Sequence, residues 1–114
     1  MQRIRPTDLA DYNPGRAVAV GVLASEHSNV RMIRLGPGVS LPPHTHAGSD
    51  LFLCVIEGAG ELDTSDGLVP FGVGDLAQYR GDEELRVSNN ATIGLTLLAF
   101  LAPVFPPTSV QGTT

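Results

Sequence analysis

Residues 36–60 read GPGVSLPPHTHAGSDLFLCVIEGAG, and the reading of this stretch governs that of the remaining chain. A Gly36-Pro37-Gly38 turn leads through Pro42-Pro43 to His44 and His46, then into the apolar run Leu51–Ile56, and the chain turns again at Glu57-Gly58. Glycine and proline punctuate extended segments, so the pattern predicts a strand, a site and a turn in succession. Side chains in a strand alternate faces, which puts His44 and His46 on one side, roughly 6–7 Å apart along the backbone and near enough to share one metal ion. If no bulge intervenes, Asp50, Phe52, Cys54 and Ile56 share that face, and Leu51, Leu53 and Val55 take the other. Both faces are apolar beyond Asp50, as in a barrel strand that also packs against another sheet or subunit.

Working outward, the bulk properties suit such a strand. A chain of 114 residues is one domain, able to bury roughly two-thirds of its unfolded surface. Thirteen Gly and nine Pro beside 42% hydrophobic residues favour short strands and many turns over helices, so the expected class is all-β. The net charge of −5 comes from twelve acids against seven bases, all of them Arg. An acidic domain without a basic stripe excludes nucleic acid and anionic membranes as expected partners. Cys54 is the single cysteine, so no intrachain disulfide forms, and its apolar strand marks it as a small buried hydrophobe. The N-terminus lacks the apolar core of a signal peptide and no run reaches membrane-spanning length, which makes a cytoplasmic location the expectation.

Residues 1–16 read as an extended arm with turns, pinned by Ile4, Leu9 and Tyr12 to the barrel or to a partner subunit. Residues 17–102 form the barrel, and residues 103–114 an extended or disordered tail. Within the barrel, strands are expected at Ala17–Leu23, Val30–Leu35, Leu51–Ile56, Glu61–Asp63, Leu68–Phe71, Leu76–Arg80, Leu85–Ser88 and Thr92–Leu101. His27 falls at a polar hairpin tip and reads as a solvated histidine. Thr64-Ser65-Asp66-Gly67 signals a tight hairpin in which Gly67 takes positive φ. Gly81-Asp82-Glu83-Glu84 reads as a solvated acidic turn. Gln78 and Tyr79 point to opposite faces, so only one of them lines the interior. The last strand is apolar on both faces, which favours a homodimer. About nine to eleven short strands fit a small barrel or jelly roll.

The central stretch resembles the first signature of the cupin superfamily: a Gly, five residues, His-x-His, three or four residues, a Glu, six residues and a Gly. Gly38, His44, His46 and Gly58 fit that pattern, and Asp50 stands nearest the acidic position, with a shorter arm and one residue too many before Gly58. The family's second signature, anchored on Gly74, places Asn89 on its Asn and Leu85 where the family has its last histidine ligand. A slip of one or two residues brings Glu84 or Glu83 there instead. The resemblance spans residues 17–102 and implies a small single-domain cupin-like β-barrel, a double-stranded jelly roll.

Two functions follow. Two imidazoles and a carboxylate on one divalent metal (Fe, Mn, Ni or Zn) leave open coordination positions suited to oxygen activation or Lewis-acid chemistry, hence a dioxygenase or an isomerase or lyase. His44, His46 and Asp50 are then the ligands, with Glu84 or Gln78 completing the shell, and Phe52, Gln78, Tyr79 and Leu85 are the candidate pocket residues. The alternative is a non-catalytic module that binds a small molecule without metal, as a sensor or regulatory protein, and uses the His pair for polar contacts. No Ser-His-Asp arrangement, phosphate loop or paired Glu offers other chemistry.

Overall fold

A computed structural model describes residues 1–105; the remainder of the expected tail, residues 106–114, lies outside the described residues. A short 3-10 turn at Pro6–Asp8 precedes nine strands: β1 Val18–Ala24, β2 Asn29–Leu35, β3 Ser40–His44, β4 Asp50–Glu57, β5 Ala59–Thr64, β6 Gly67–Gly72, β7 Leu76–Tyr79, β8 Leu85–Ser88 and β9 Leu95–Ala102. They form two antiparallel sheets, one of five strands in the order β1-β2-β9-β4-β7 and one of four in the order β3-β8-β5-β6. The fold is therefore all-β.

The core lies between the sheets and follows the two-residue period. Ile33 and Leu35 of β2, Leu51, Leu53 and Val55 of β4, and Leu95, Leu97, Ala99 and Leu101 of β9 meet Leu62, Phe71, Leu85 and Val87 of the smaller sheet. A fully buried Leu contributes about 1.5–3 kcal/mol, so these alternating positions supply the main drive for closing the sheets on each other. Two turns hold the strands to length. The β5–β6 hairpin pairs Thr64 with Gly67, and Gly67 has the expected positive φ of 102°. Asn89, 1% exposed, donates through Nδ2 to the carbonyls of Leu35 and Ile93, both at 2.9 Å, and accepts from the Ala91 amide through Oδ1. That amide side chain ties the end of β2 to Ile93, and β9 begins at Leu95 rather than Thr92.

The outer face of the larger sheet carries the N-terminal arm. Arg34, 7% exposed, pairs with Glu57 at 2.8 Å and donates to Thr96 Oγ1 at 3.1 Å and to the Ala10 carbonyl at 2.8 Å. Its guanidinium also lies 4.1 Å from the centre of the Tyr12 ring, whose hydroxyl is 2.8 Å from Thr96 Oγ1. Gly94 leaves room for that ring, since a Cβ there would collide with it. Of the three arm residues expected to act as anchors, Tyr12 is held this way, while Ile4 and Leu9 stay exposed. A polar and aromatic network, not an apolar staple, fastens the arm.

Candidate functional site

His44 ends β3 and stands across from Leu85 of β8. The chain then leaves the strand: His46 N–H donates to the Gly81 carbonyl at 3.1 Å, Ser49 N–H donates to the His46 carbonyl at 2.9 Å, and Gly48 turns with φ 86°. Gly81 sits so close to this turn that a Cβ on it would press on the His46 and Ser49 carbonyls. The turn folds His46 back onto His44, with ring centroids 4.6 Å apart. His46 is 5% exposed, whereas His44 is half-buried.

A carbonyl only accepts, so in the 2.9 Å contact of His44 Nδ1 with the Pro42 oxygen the ring nitrogen is the donor. His46 is held neutral: its pKa falls to about 4, first through burial and then through the nearby positive charge of His44 and Arg31. Its Nδ1 is buried without a hydrogen-bond partner, the only such side-chain atom among the described residues. Phe105 covers the ring edge-on at 5.0 Å. The segment bearing Phe105 is tied down twice, by Ser49 Oγ donating to the Pro103 carbonyl at 2.8 Å and by the Phe105 amide donating to Asn29 Oδ1 at 2.9 Å.

The other candidates fall elsewhere. The turn at 45–49 interrupts the alternation, so His46 and Asp50 do not keep one parity. Asp50 opens β4, is exposed, and pairs through its backbone with Ala102. Phe52, 38% exposed, and Gln78, also exposed, are cross-strand neighbours on the outer side of the larger sheet, away from the core, and Gln78 borders a surface hollow together with Tyr79 and Glu84. Glu84 is exposed and paired with Arg86 at 2.6 Å. Tyr79 stands opposite Leu51 and packs on the core, so of the Gln78–Tyr79 pair it is the inward residue. Leu85 is fully buried in the core. Among the described residues, no group of three or more His, Cys, Asp or Glu gathers to hold a metal ion. Two imidazoles beside a guanidinium are one donor short of the three or four protein ligands that a resident divalent metal normally takes.

The residue the sequence reading passed over is Arg31. It shares the inward face of β2 with Ile33 and Leu35, two and four positions on, so the strand period itself pointed to it. Two hollows open on this side of the molecule. A groove of about 1100 Å³ runs between Arg16–Ala19 and Pro37–His44, and a cavity of about 310 Å³ is bounded by β1, β2 and Phe105 and includes Arg31.

A family model described as a cupin domain matches residues 31–100, and the chain belongs to this family. Its solved relatives share the two-sheet architecture. A protein with a double-stranded β-helix domain from Klebsiella pneumoniae superimposes with a TM-score of 0.81 at 18% identity, with 90% of each chain covered. A second solved protein, from Thermus thermophilus, gives 0.80 at 26% identity, covering 91% of this chain and 99% of that one. A sugar phosphate isomerase of the cupin superfamily from Silicibacter pomeroyi gives 0.58 at 28% identity, covering 67% of this chain and 50% of that one. No curated protein matches the sequence. Among the described residues no helix is long and apolar enough to cross a membrane.

Proposed function

We propose that this chain is a ligand-binding cupin module that captures a small molecule at the His44–His46 end of its barrel and uses the imidazoles as polar contacts rather than as a metal chelate. The observation that carries this reading is His46 Nδ1, buried and unpartnered beside His44. A buried polar atom left unsatisfied costs about 1–3 kcal/mol, and a ligand donor or acceptor reaching it recovers that cost. The metal-dependent dioxygenase or isomerase reading asks more of the site. An i, i+2 His pair needs a third donor, and the positive charge of Arg31 that disfavours a proton on His46 disfavours a dication for the same reason.

The test is a small-molecule screen on the full chain, followed by NMR of the His44 and His46 imidazoles, with sugar phosphates included because of the likeness to the Silicibacter isomerase. Ligands that shift both imidazoles in metal-free protein support capture at this end. Near-stoichiometric uptake of Fe, Mn, Ni or Zn, lost in a His44→Ala, His46→Ala double variant, overturns it in favour of the metalloenzyme. The module is also proposed to act as a homodimer through the outer face of the larger sheet, where Phe52 and Phe100 lie side by side and partly uncovered. Light scattering at micromolar concentration checks this, and a monomeric mass there removes the dimer.

A further inference from the structure

The concave face of the five-stranded sheet holds a transverse row that reads Gly21, Arg31, Ala99 and Leu53. Arg31 thus lies between a glycine and an alanine, the two smallest residues a strand can offer its neighbour. A Cβ on Gly21 would meet no atom within 4 Å, so the side of Arg31 toward β1 is open space. That space belongs to the cavity of about 310 Å³, whose other walls include Val22, Leu23, Val30 and Phe105. The cavity is therefore mostly apolar with one permanent positive charge, and at this volume it suits a small organic molecule.

Among the described residues the charge has no ion pair: the four that form leave Arg31 out. Guanidinium keeps its proton at any ordinary pH, so a half-buried Arg without an ion pair offers its donors to water or to an anion from outside, and only the anion also meets its charge. A lone fork of donors matches the two oxygens of a carboxylate, and beside it the cavity offers only the Asn29 side-chain amide, few donors for the greater charge of a phosphate dianion. Phe105 joins the two parts of the site, since it both bounds this cavity and covers His46.

We propose that Arg31 is the anion-recognising residue of the ligand site, and that the ligand is a small monocarboxylate whose apolar body lies along β1 and β2 under Phe105. This rests on the reading of the chain as a ligand-binding module and adds the chemical class of what it binds.

The experiment is an NMR titration of the isotopically labelled full chain with acetate, hexanoate and benzoate, each against its primary amide, and with phenyl phosphate. The expected result is that hexanoate or benzoate shifts the Arg31 Nε–H and the Gly21 and Ala99 amides, and binds at least ~10-fold more tightly than its amide. Arg31→Gln should abolish the preference for carboxylate over amide while keeping a folded spectrum, and Arg31→Lys should retain part of it. Gly21→Val, which fills the open space without touching the charge, should weaken hexanoate and benzoate more than acetate. Equal binding of acid and amide with the site resonances moving overturns the carboxylate assignment and leaves the ligand-binding reading standing. So does a preference that survives Arg31→Gln, or tighter binding of phenyl phosphate than of benzoate. If no probe moves Arg31, Gly21 or the imidazoles, both readings fall.

Discussion

Strand β2 carries two arginines three residues apart, and the sheet sends them to opposite faces. Arg34, on the outer face, is bonded to Glu57, Thr96 and the Ala10 carbonyl and lies against the Tyr12 ring. Arg31, on the concave face, has no ion pair among the described residues and borders a cavity. The same residue type on the same strand thus serves architecture on one side and leaves a site on the other. What separates them is whether a carboxylate among the described residues lies beside the guanidinium: Glu57 does so for Arg34, and none does so for Arg31.

The sharpest way to break the comparison is Arg34→Met. It removes the bonds of a buried guanidinium to Glu57, Thr96 and the Ala10 carbonyl and frees the arm, and we expect a loss on the order of 3 kcal/mol in denaturant unfolding, with faster proteolysis before residue 16. A loss below about 1 kcal/mol would mean that the network does not hold the arm.

The next largest effect is with pH. His46 has a folded pKa of about 4 against an ordinary 6.5, so between these values the unfolded chain binds the extra proton and the folded chain does not. Its contribution to stability is intact above pH 6.5 and falls away as pH drops toward 4, by up to about 3 kcal/mol. Unfolding free energies measured from pH 7.5 to 4 should slope accordingly, and His46→Gln should flatten the curve. Glu57 is depressed as well, mainly through its bond from Thr96 and then that from Arg34, and this adds a loss at more acid pH, through the folded carboxylate's own titration. An unchanged slope in His46→Gln would assign the whole pH dependence to carboxylates.

Phe105→Ala sharpens the view of the site. Removing the edge-on ring should cost about 1 kcal/mol and let the His46 pKa rise toward its ordinary value as water reaches it, which NMR titration of the imidazole reads directly. A pKa that stays near 4 would show that β-strand packing, not Phe105, keeps water out. The smallest effect is expected at the second arginine. Arg31→Met removes an unpaired charge and should change stability by less than about 1 kcal/mol in either direction, in contrast to Arg34→Met. Comparable losses for the two variants would show that Arg31 has a structural partner after all.

Much of this was legible in the chain. The bounds of β8 were read off as Leu85–Ser88, and the hairpin at Gly67 followed from its turn chemistry. The His-x-His pattern identified the family that the match over residues 31–100 shows. The parity expected from His46 onward did not hold, for a local reason. The alternation was carried from His46 to Phe52, but Gly48 at positive φ and the His46–Gly81 and Ser49–His46 backbone bonds make a turn there, and a turn resets which face a side chain takes. Arg31 was missed from the opposite cause: its parity with Ile33 and Leu35 was available, but a charge on a core-facing position is informative only once its surroundings are known to lack a carboxylate.

The sequence by itself determined the fold class, the strand-and-turn order and the pairing of two histidines near one strand end, because periodicity, turn residues and short spacing are local properties of the chain. Only the tertiary structure decided that Asp50 and Glu84 stand apart from those histidines, that Phe105 closes over His46, and that one of two neighbouring arginines has no ion pair among the described residues. Those facts depend on which distant segments meet, and contacts between residues tens of positions apart are fixed by the packing of the two sheets rather than by any single stretch.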